Sequence, residues 1–446
     1  MNNPYWPEIT EALQMTDANF HETGGGDLPS VYAVSDFASA TIGAAGAALA
    51  AIHGGGAVHV DRRRASLWFD MTLSPVGWDL PSVWDAIAGI YATADSFIRL
   101  HTNAPHHRAA ALSVLGCPPD REAVAKVVAT WQAEALETAI VAAKGCAAML
   151  HSADAWQAHP QGAAVKAEPL IRWQDAVDVP PQGPSGPPDA PLAGLRVLDL
   201  TRVLAGPVAT RFLAGFGADV LRIDPPHWNE PAAELEVNLG KHCAGLDLHD
   251  ATDRAIFANL LKSADVLLHG YRPGALDRLG FGAEARSALN PGLIDVSLSA
   301  YGRTGPWRAR RGFDSLVQMS CGIAAQGMAV TGRDAPLPLP VQALDHGTGY
   351  LLAATVLRGL GRRAKGVGTR AELSLARTAE CLKSAPGTLS PPAAIAVGPD
   401  DYAMAVEDTG WGPAHRITPP LTVNGHGPRW QIPSGPVRRH PAHWAT

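Results

Sequence analysis

The carboxylate of Asp345 stands out for its surroundings. In PLPLPVQALDHGTGY it follows a run of alternating prolines and leads into a segment whose glycines let a ligand or a second backbone approach closely. An aspartate that opens a helix is ordinarily an N-cap, its oxygens accepting free backbone N–H groups where the helix dipole favours negative charge. In this setting the same carboxylate is also placed to attack a thioester. Asp36 opens a comparable small-residue stretch, SDFASATIGAAGAALAAI, without the paired glycines, and reads as the plainer cap of the two. His101, His106 and His107 in HTNAPHHR invite a metal reading. With no Asp, Glu or Cys at ligand spacing they read instead as a surface turn capping a helix, and no metal is expected.

The elements that must hold Asp345 are those of an α/β protein. Leu195 to Leu200 (LRVLDL) is a short apolar strand, Pro207 opens a helical segment through Phe216, and Ala218 to Ile223 is a second strand, together a βαβ unit. The helical ATDRAIFANLLKSA, the strand DVLLHG and the buried run LIDVSLSAYG at 293–302 continue the alternation. Such a pattern predicts a Rossmann-like parallel sheet covered by helices, with ligands at the carboxyl ends of its strands. A smaller mixed α/β unit precedes it: a helix from Asp36 to Ile52, a β-like run VHVDRRRASLWF, a strand in DSFIRLHTN, and a long helical region from Arg121 to Leu150.

Residues 177–191, VDVPPQGPSGPPDAP, read as a semi-rigid linker between the two parts. Residues 396–446, rich in Pro and Gly with Trp411, Trp430 and Trp444, read as an extended segment pinned by aromatic anchors. An internal repeat is also visible. YAVSDFASATIGAAGAALAAI followed by VHVDRRRASLW parallels VQALDHGTGYLLAATVLRGL followed by TRAELSLARTA, so that residues 1–80 read as a half-copy of the segment around Asp345. The remaining divisions are a small domain over 81–176 and a large domain over 192–395.

A net charge of -6 over 446 residues gives no electrostatic footprint for nucleic acid, and Arg62 to Arg64 is too short a basic run to alter that. Cys117, Cys146, Cys243, Cys321 and Cys381 form no C-x-x-C pair, which points to reduced thiols in a cytoplasm. No targeting or membrane-spanning segment is expected, since the Ala/Gly-rich run 39–51 is interrupted by His53 and three glycines.

PLAGLRVLDLTRVLAGPVATRFLAGFGADVLRIDPP, with its L-D-x-[ST]-x-x-x-A-G-P pattern from Leu198 to Pro207, resembles the opening of the family III CoA-transferases. NLGKHCAGLDL, GYRPGALDRLGFG and LIDVSLSAYGRTGPWRARRGFDSLVQMSCG agree with further blocks of that family, in the same order. The resemblance implies coenzyme A as co-substrate, an acyl-CoA and a carboxylic acid as partners, and Asp345 as nucleophile. It implies that Val203, Leu204 and Ala205 wrap the CoA nucleotide, that Tyr271, Ala275, Arg278 and Leu279 close over adenine and pantetheine, and that Arg278 and Arg311 meet phosphate. Backbone amides around Gly347 and Gly349 are candidates to hold an oxyanion. The resemblance also implies an interlocked homodimer, although a chain with an internal half-copy can instead close its ring alone.

Two departures stand against the family pattern. Pro225 replaces a basic residue after the second strand, and the small domain precedes the large one, so the order is permuted.

In the mechanism so implied, Asp345 attacks a donor thioester, CoA thiolate returns to give an aspartyl-CoA thioester, and an acceptor acid collects CoA. Three alternatives stay open. The related α-methylacyl-CoA racemases carry a His before the Asp where this chain has Gly312-Phe313-Asp314, and phenylalanine cannot take a proton. Dinucleotide binding is suggested by Asp224 but lacks G-x-G-x-x-G, only Gly206 being present before Pro207. A catalytically silent acyl-CoA-binding protein is compatible with the permuted order.

Overall fold

In a computed structural model, which describes residues 3–15, 17–174, 178–390 and 394–445, six parallel strands form the centre of the molecule. They are Arg196–Leu200, Asp219–Asp224, Lys241–Gly245, Val266–His269, Ile294–Ser299 and Thr369–Ser374. Counted along the chain they lie side by side in the order 3-2-1-4-5-6, with the short strand Arg172–Trp173 antiparallel at the outer edge of the sixth. This is the doubly wound Rossmann arrangement. Its order reverses between the first and fourth strands, and the crevice beyond their carboxyl ends is where ligands bind. All four strands expected from the sequence are present. Their apolar runs are continuous because both faces are covered, as the complete burial of Val197, Leu198, Val266 and Leu267 shows.

The smaller unit departs from expectation in two places. VHVDRRRASLWF is not one strand: Val58–Asp61 pairs as β-structure, and then the Asp61 side chain accepts the Arg64 backbone N–H at 3.0 Å and starts the helix Arg62–Leu67. Three consecutive arginines are good helix formers once an N-cap precedes them. The long helix expected from Arg121 to Leu150 breaks into Arg121–Val128, Ala133–Ala142 and the strand Ala147–Met149. Lys144, with a φ of 66°, and Gly145, whose added Cβ would lie 2.7 Å from the Ile140 side chain, turn the chain back into that strand. It joins Gly89–Ala92 and Phe97–Leu100 in an antiparallel sheet packed on helices through Ile98, Leu100, Val124, Leu136 and Ile140.

The last fifty residues are not merely extended. Tyr402–Thr409 and Gly412–Ile417 form a hairpin that adds Leu73–Pro75, and Leu421–Val423 pairs with Val58–Asp61, so the two ends of the chain share sheets. Trp430 does act as an anchor, donating to the Arg211 carbonyl at 2.9 Å and stacking on Trp68 at 5.7 Å. Residues 178–191 form neither helix nor strand and are docked on the large unit, Val179 N–H donating to the Gly366 carbonyl at 2.9 Å; Val177 lies outside the described residues.

Two long helices meet in the core, Val34–Ala51 and Ala343–Arg363. The first is long and apolar enough by composition to cross a membrane, but 89% of it is buried inside the protein, where all-round hydrophobicity is what a core helix needs. The second carries Asp345 in its first turn.

Candidate active site

At the switch point, the loop after the first strand is held in a strained shape. Val203 has a φ of 67°, rare for a β-branched residue, and its N–H donates to Glu230 at 2.7 Å. Glu230 is itself fixed by Arg222 at 2.7 Å. Beneath the loop the fully buried Asp199 accepts from Thr210 at 2.5 Å and pairs with Lys241 at 3.0 Å, tying the first strand to the helix Ala205–Gly215 and the third strand. The loop is thus rigid at its base and bent at its tip.

Beyond it lies a cavity of about 610 Å³ whose walls come from the carboxyl ends of the first, fourth and fifth strands. Val203, Ala205, Tyr271, Ala275, Arg278, Leu279 and Arg311, all expected from the sequence, line it. Sequence reasoning missed Arg202, Arg272 and Arg308, which also line it. Arg202 is held by the Tyr271 hydroxyl at 3.1 Å and lies over the Trp228 ring. Among the described residues Arg272, Arg278, Arg308 and Arg311 have no ion pair or side-chain hydrogen bond as donors. Burial, and then the charges of Arg311 and Arg278, push the Arg272 pKa down. Guanidinium groups crowded together without acceptors form a site for a polyanion.

A second cavity, of about 330 Å³, adjoins the first. Leu204 lines this one rather than the basic one. Its other walls, including Phe69, Met71, Trp84, Trp228 and Phe313, come from both the smaller and the larger unit. Four residues line both cavities, Val203, Trp228, Phe313 and Asp345, and Asp345 alone among them carries a nucleophile.

The Asp345 carboxylate is not a cap. Its helix starts from Gln342, and the N–H groups of Leu344 and Asp345 donate to Asp314 at 2.9 and 3.0 Å. Gln318 adds a third donor to Asp314 at 2.5 Å. Asp345 itself accepts no hydrogen bond among the described residues. Burial first, and then the neighbouring Asp314 charge, raise its pKa well above the ordinary aspartate range. Buried, without a hydrogen-bond donor among the described residues and bordering two cavities, it is a carboxyl group left unsatisfied.

Two expectations are corrected. Gly347 and Gly349 lie inside the helix, their amides taken by it, and serve close packing. A Cβ on Gly347 would sit 2.1 Å from the Phe37 ring, and one on Gly349 would sit 2.6 Å from the Ala205 carbonyl oxygen. His101 and His107 are not in a surface turn. Both are buried, His101 stacked on Phe313 at 3.8 Å, and burial pushes both down to about 3, so they are neutral.

Residues 192–392 match CoA-transferase family III. An acyl-CoA transferase from Fusarium pseudograminearum is 34% identical over 42% of this chain and 45% of its own length, and one from Gibberella moniliformis is 28% identical over 80% and 71%. A solved structure of a Mycobacterium tuberculosis protein is 31% identical over 44% of this chain and 59% of its own, with a TM-score of 0.39. The chain spans about half the length of the first of these relatives. The class defined by the fold and the site is that of a doubly wound α/β protein with a cavity at its switch point. Over that matched region the chain is similar to CoA-transferase family III.

Proposed function

We propose that the protein moves CoA between an acyl-CoA thioester and a free carboxylic acid, with Asp345 as covalent nucleophile. The observation that carries this is the position of Asp345, the one nucleophile exposed to both the arginine-lined and the aromatic cavity. The residues present fit coenzyme A. Arg272, Arg278, Arg308 and Arg311 would hold its phosphates, and Tyr271, Ala275 and Leu279 would line the path of the nucleotide and pantetheine. The aromatic cavity would take the acyl group.

The step order follows from atom balance. The Asp345 carboxylate adds to the thioester carbonyl and expels CoA thiolate, giving a mixed anhydride. The thiolate attacks the aspartyl carbonyl of that anhydride and releases the first carboxylate, leaving an aspartyl-CoA thioester. A second carboxylate then attacks this thioester to form a new anhydride, which CoA thiolate reopens to regenerate Asp345. Each adduct keeps the transfer potential of the one before. Walls contributed by the smaller unit, Trp84 and His101 among them, would keep water from the anhydride. Because those walls lie in the same chain as Asp345, one copy would complete the site.

Incubation with an acyl-CoA followed by mass spectrometry tests the reading. An aspartyl adduct on the peptide holding Asp345, absent in Asp345→Asn, is expected. Full exchange of CoA between thioester and acid by Asp345→Asn overturns it.

A further inference from the structure

The charged groups around the aromatic cavity are all of one sign. Asp70, Asp85, Glu230 and Glu236 line it, and among the described residues no Lys or Arg does. Three of the four have their cations outside the cavity wall. Glu236 pairs with Arg211 and with Arg416 at 3.3 Å, Glu230 with Arg222 at 2.7 Å, and Asp85 with Arg108 at 3.5 Å. Asp70, exposed to solvent, has no cation among the described residues and accepts the N–H of Met71 at 2.8 Å. The two imidazoles of the cavity bring no positive charge either. Burial pushes His101 and His346 down to about 3, and His346 stacks flat on Phe69 at 5.2 Å. The apolar side is made of Phe69, Met71, Trp84, Leu204, Trp228 and Phe313, and a volume of about 330 Å³ is at the small end of ligand pockets, which run from roughly 300 to 1,000 Å³.

We infer that the acyl group taken by this enzyme is small, apolar and uncharged, and that acids bearing a second carboxylate are excluded. This rests on the transferase reading for the name of the ligand, and on the cavity for its chemistry. A terminal carboxylate placed there would lose its water, meet no cation and face Asp70. An aliphatic or single-ring acyl group would instead be covered by aromatic carbon on several sides, with its thioester carbonyl left at Asp345.

Binding separates the two readings. In the full chain carrying Asp345→Asn, so that no turnover consumes the ligand, butyryl-CoA and phenylacetyl-CoA should bind at least 30-fold more tightly than succinyl-CoA by isothermal titration calorimetry. Equal affinity, or a preference for succinyl-CoA, overturns the inference. Adding Asp70→Arg should narrow the gap at least tenfold, and an unchanged gap overturns the electrostatic account. The adduct experiment on the wild-type chain fails or succeeds independently of these affinities, so loss of the transferase reading and loss of the acyl-class inference are told apart.

Discussion

Asp36 and Asp345 begin their helices in the same way and end in opposite circumstances. The residues before the two helices, Ala33 and Gln342, have φ/ψ of -75°/64° and -78°/63°, and in each case the next N–H reaches back two residues to a carbonyl at 2.8 Å. Further along, each segment runs through a strand into a helix capped by a short polar side chain, Asp61 accepting from Arg64 and Ser374 from Arg377. The residue just after the cap is where they part. In the first copy it is Arg62, which reaches Asp36 at 2.8 Å and also pairs with Glu22 and Asp27. In the second it is Leu375, which lines the basic cavity and leaves Asp345 without a cation. One backbone thus supports a carboxylate that is cancelled and one that is kept bare, and the difference rests on a single side chain rather than on the fold.

The largest break in that comparison is removal of each carboxylate. Asp345→Asn should lower kcat/KM for CoA transfer by roughly a thousandfold or more, the scale expected when a covalent nucleophile is lost, while Asp36→Asn should stay within about threefold. Steady-state assays of the two variants decide it, and equal losses would make the copies functionally equivalent. Exchanging the partners comes next. Leu375→Arg should install beside Asp345 the cation that Asp36 already has, lowering its pKa and its nucleophilicity and narrowing the CoA path, with a loss of about 100-fold in kcat/KM. The mirror change, Arg62→Leu, should leave activity near wild type. It should cost about 1–2 kcal/mol in urea unfolding, since three carboxylates lose a common partner that is only partly shielded from water.

A smaller effect sharpens the comparison at the basic cavity, which borders Asp345 and not Asp36. Arg272→Ala, Arg278→Ala and Arg311→Ala should each raise the KM for the CoA thioester roughly tenfold and leave kcat within about twofold, as the loss of one charge-assisted hydrogen bond to a ligand phosphate would. A fall in kcat without a change in KM would instead place these groups at the reacting atoms.

Four strands of the sheet were readable because each is a mostly apolar run between turn residues, a pattern that burial on both faces imposes; Lys241–Gly245 and Thr369–Ser374 are more polar. The Asp345 segment was readable because proline and glycine bracket it. What escaped the sequence depends on partners far along the chain. Arg62 to Arg64 reads as part of a β-run until Asp61 is seen to cap a helix. Gly347 and Gly349 suggest an anion site until Phe37 and Ala205 are found against them. The aromatic cavity joins Phe69, Trp84, Trp228 and Phe313, which no spacing rule connects. Asp314 appears in the sequence as one member of the triplet Gly312-Phe313-Asp314, and its bond to the backbone of the Asp345 helix shows only once that helix is placed. The His101 cluster misled for the same reason: HTNAPHHR has the polarity of a surface turn, and Phe313, more than two hundred residues on, is what buries it.

The smallest expected effect concerns stability and has opposite sign at the two ends. Asp345 has a folded-state pKa raised by burial and by Asp314, above its unfolded value of ~3.9. The folded protein therefore holds that proton more tightly than the unfolded chain. The stabilisation this brings is fully present below pH ~3.9 and is lost as pH rises through the folded pKa, above which the unpartnered carboxylate is a cost. Asp345→Asn should raise Tm by roughly 1–3 °C at pH 7, and the gain should vanish near pH 4. Asp36→Asn should lower Tm at pH 7, because it breaks the pair with Arg62. The same titration should appear in the kinetics of the wild-type protein, where kcat/KM falls on acidification at a pH above the ordinary aspartate range as the nucleophile takes up its proton. Calorimetry across pH 4–8 reads the first pair of effects, and a pH–rate profile reads the last. A Tm that drops in Asp345→Asn at pH 7 would mean that the second carboxylate is satisfied like the first, and the contrast between the two copies would be lost.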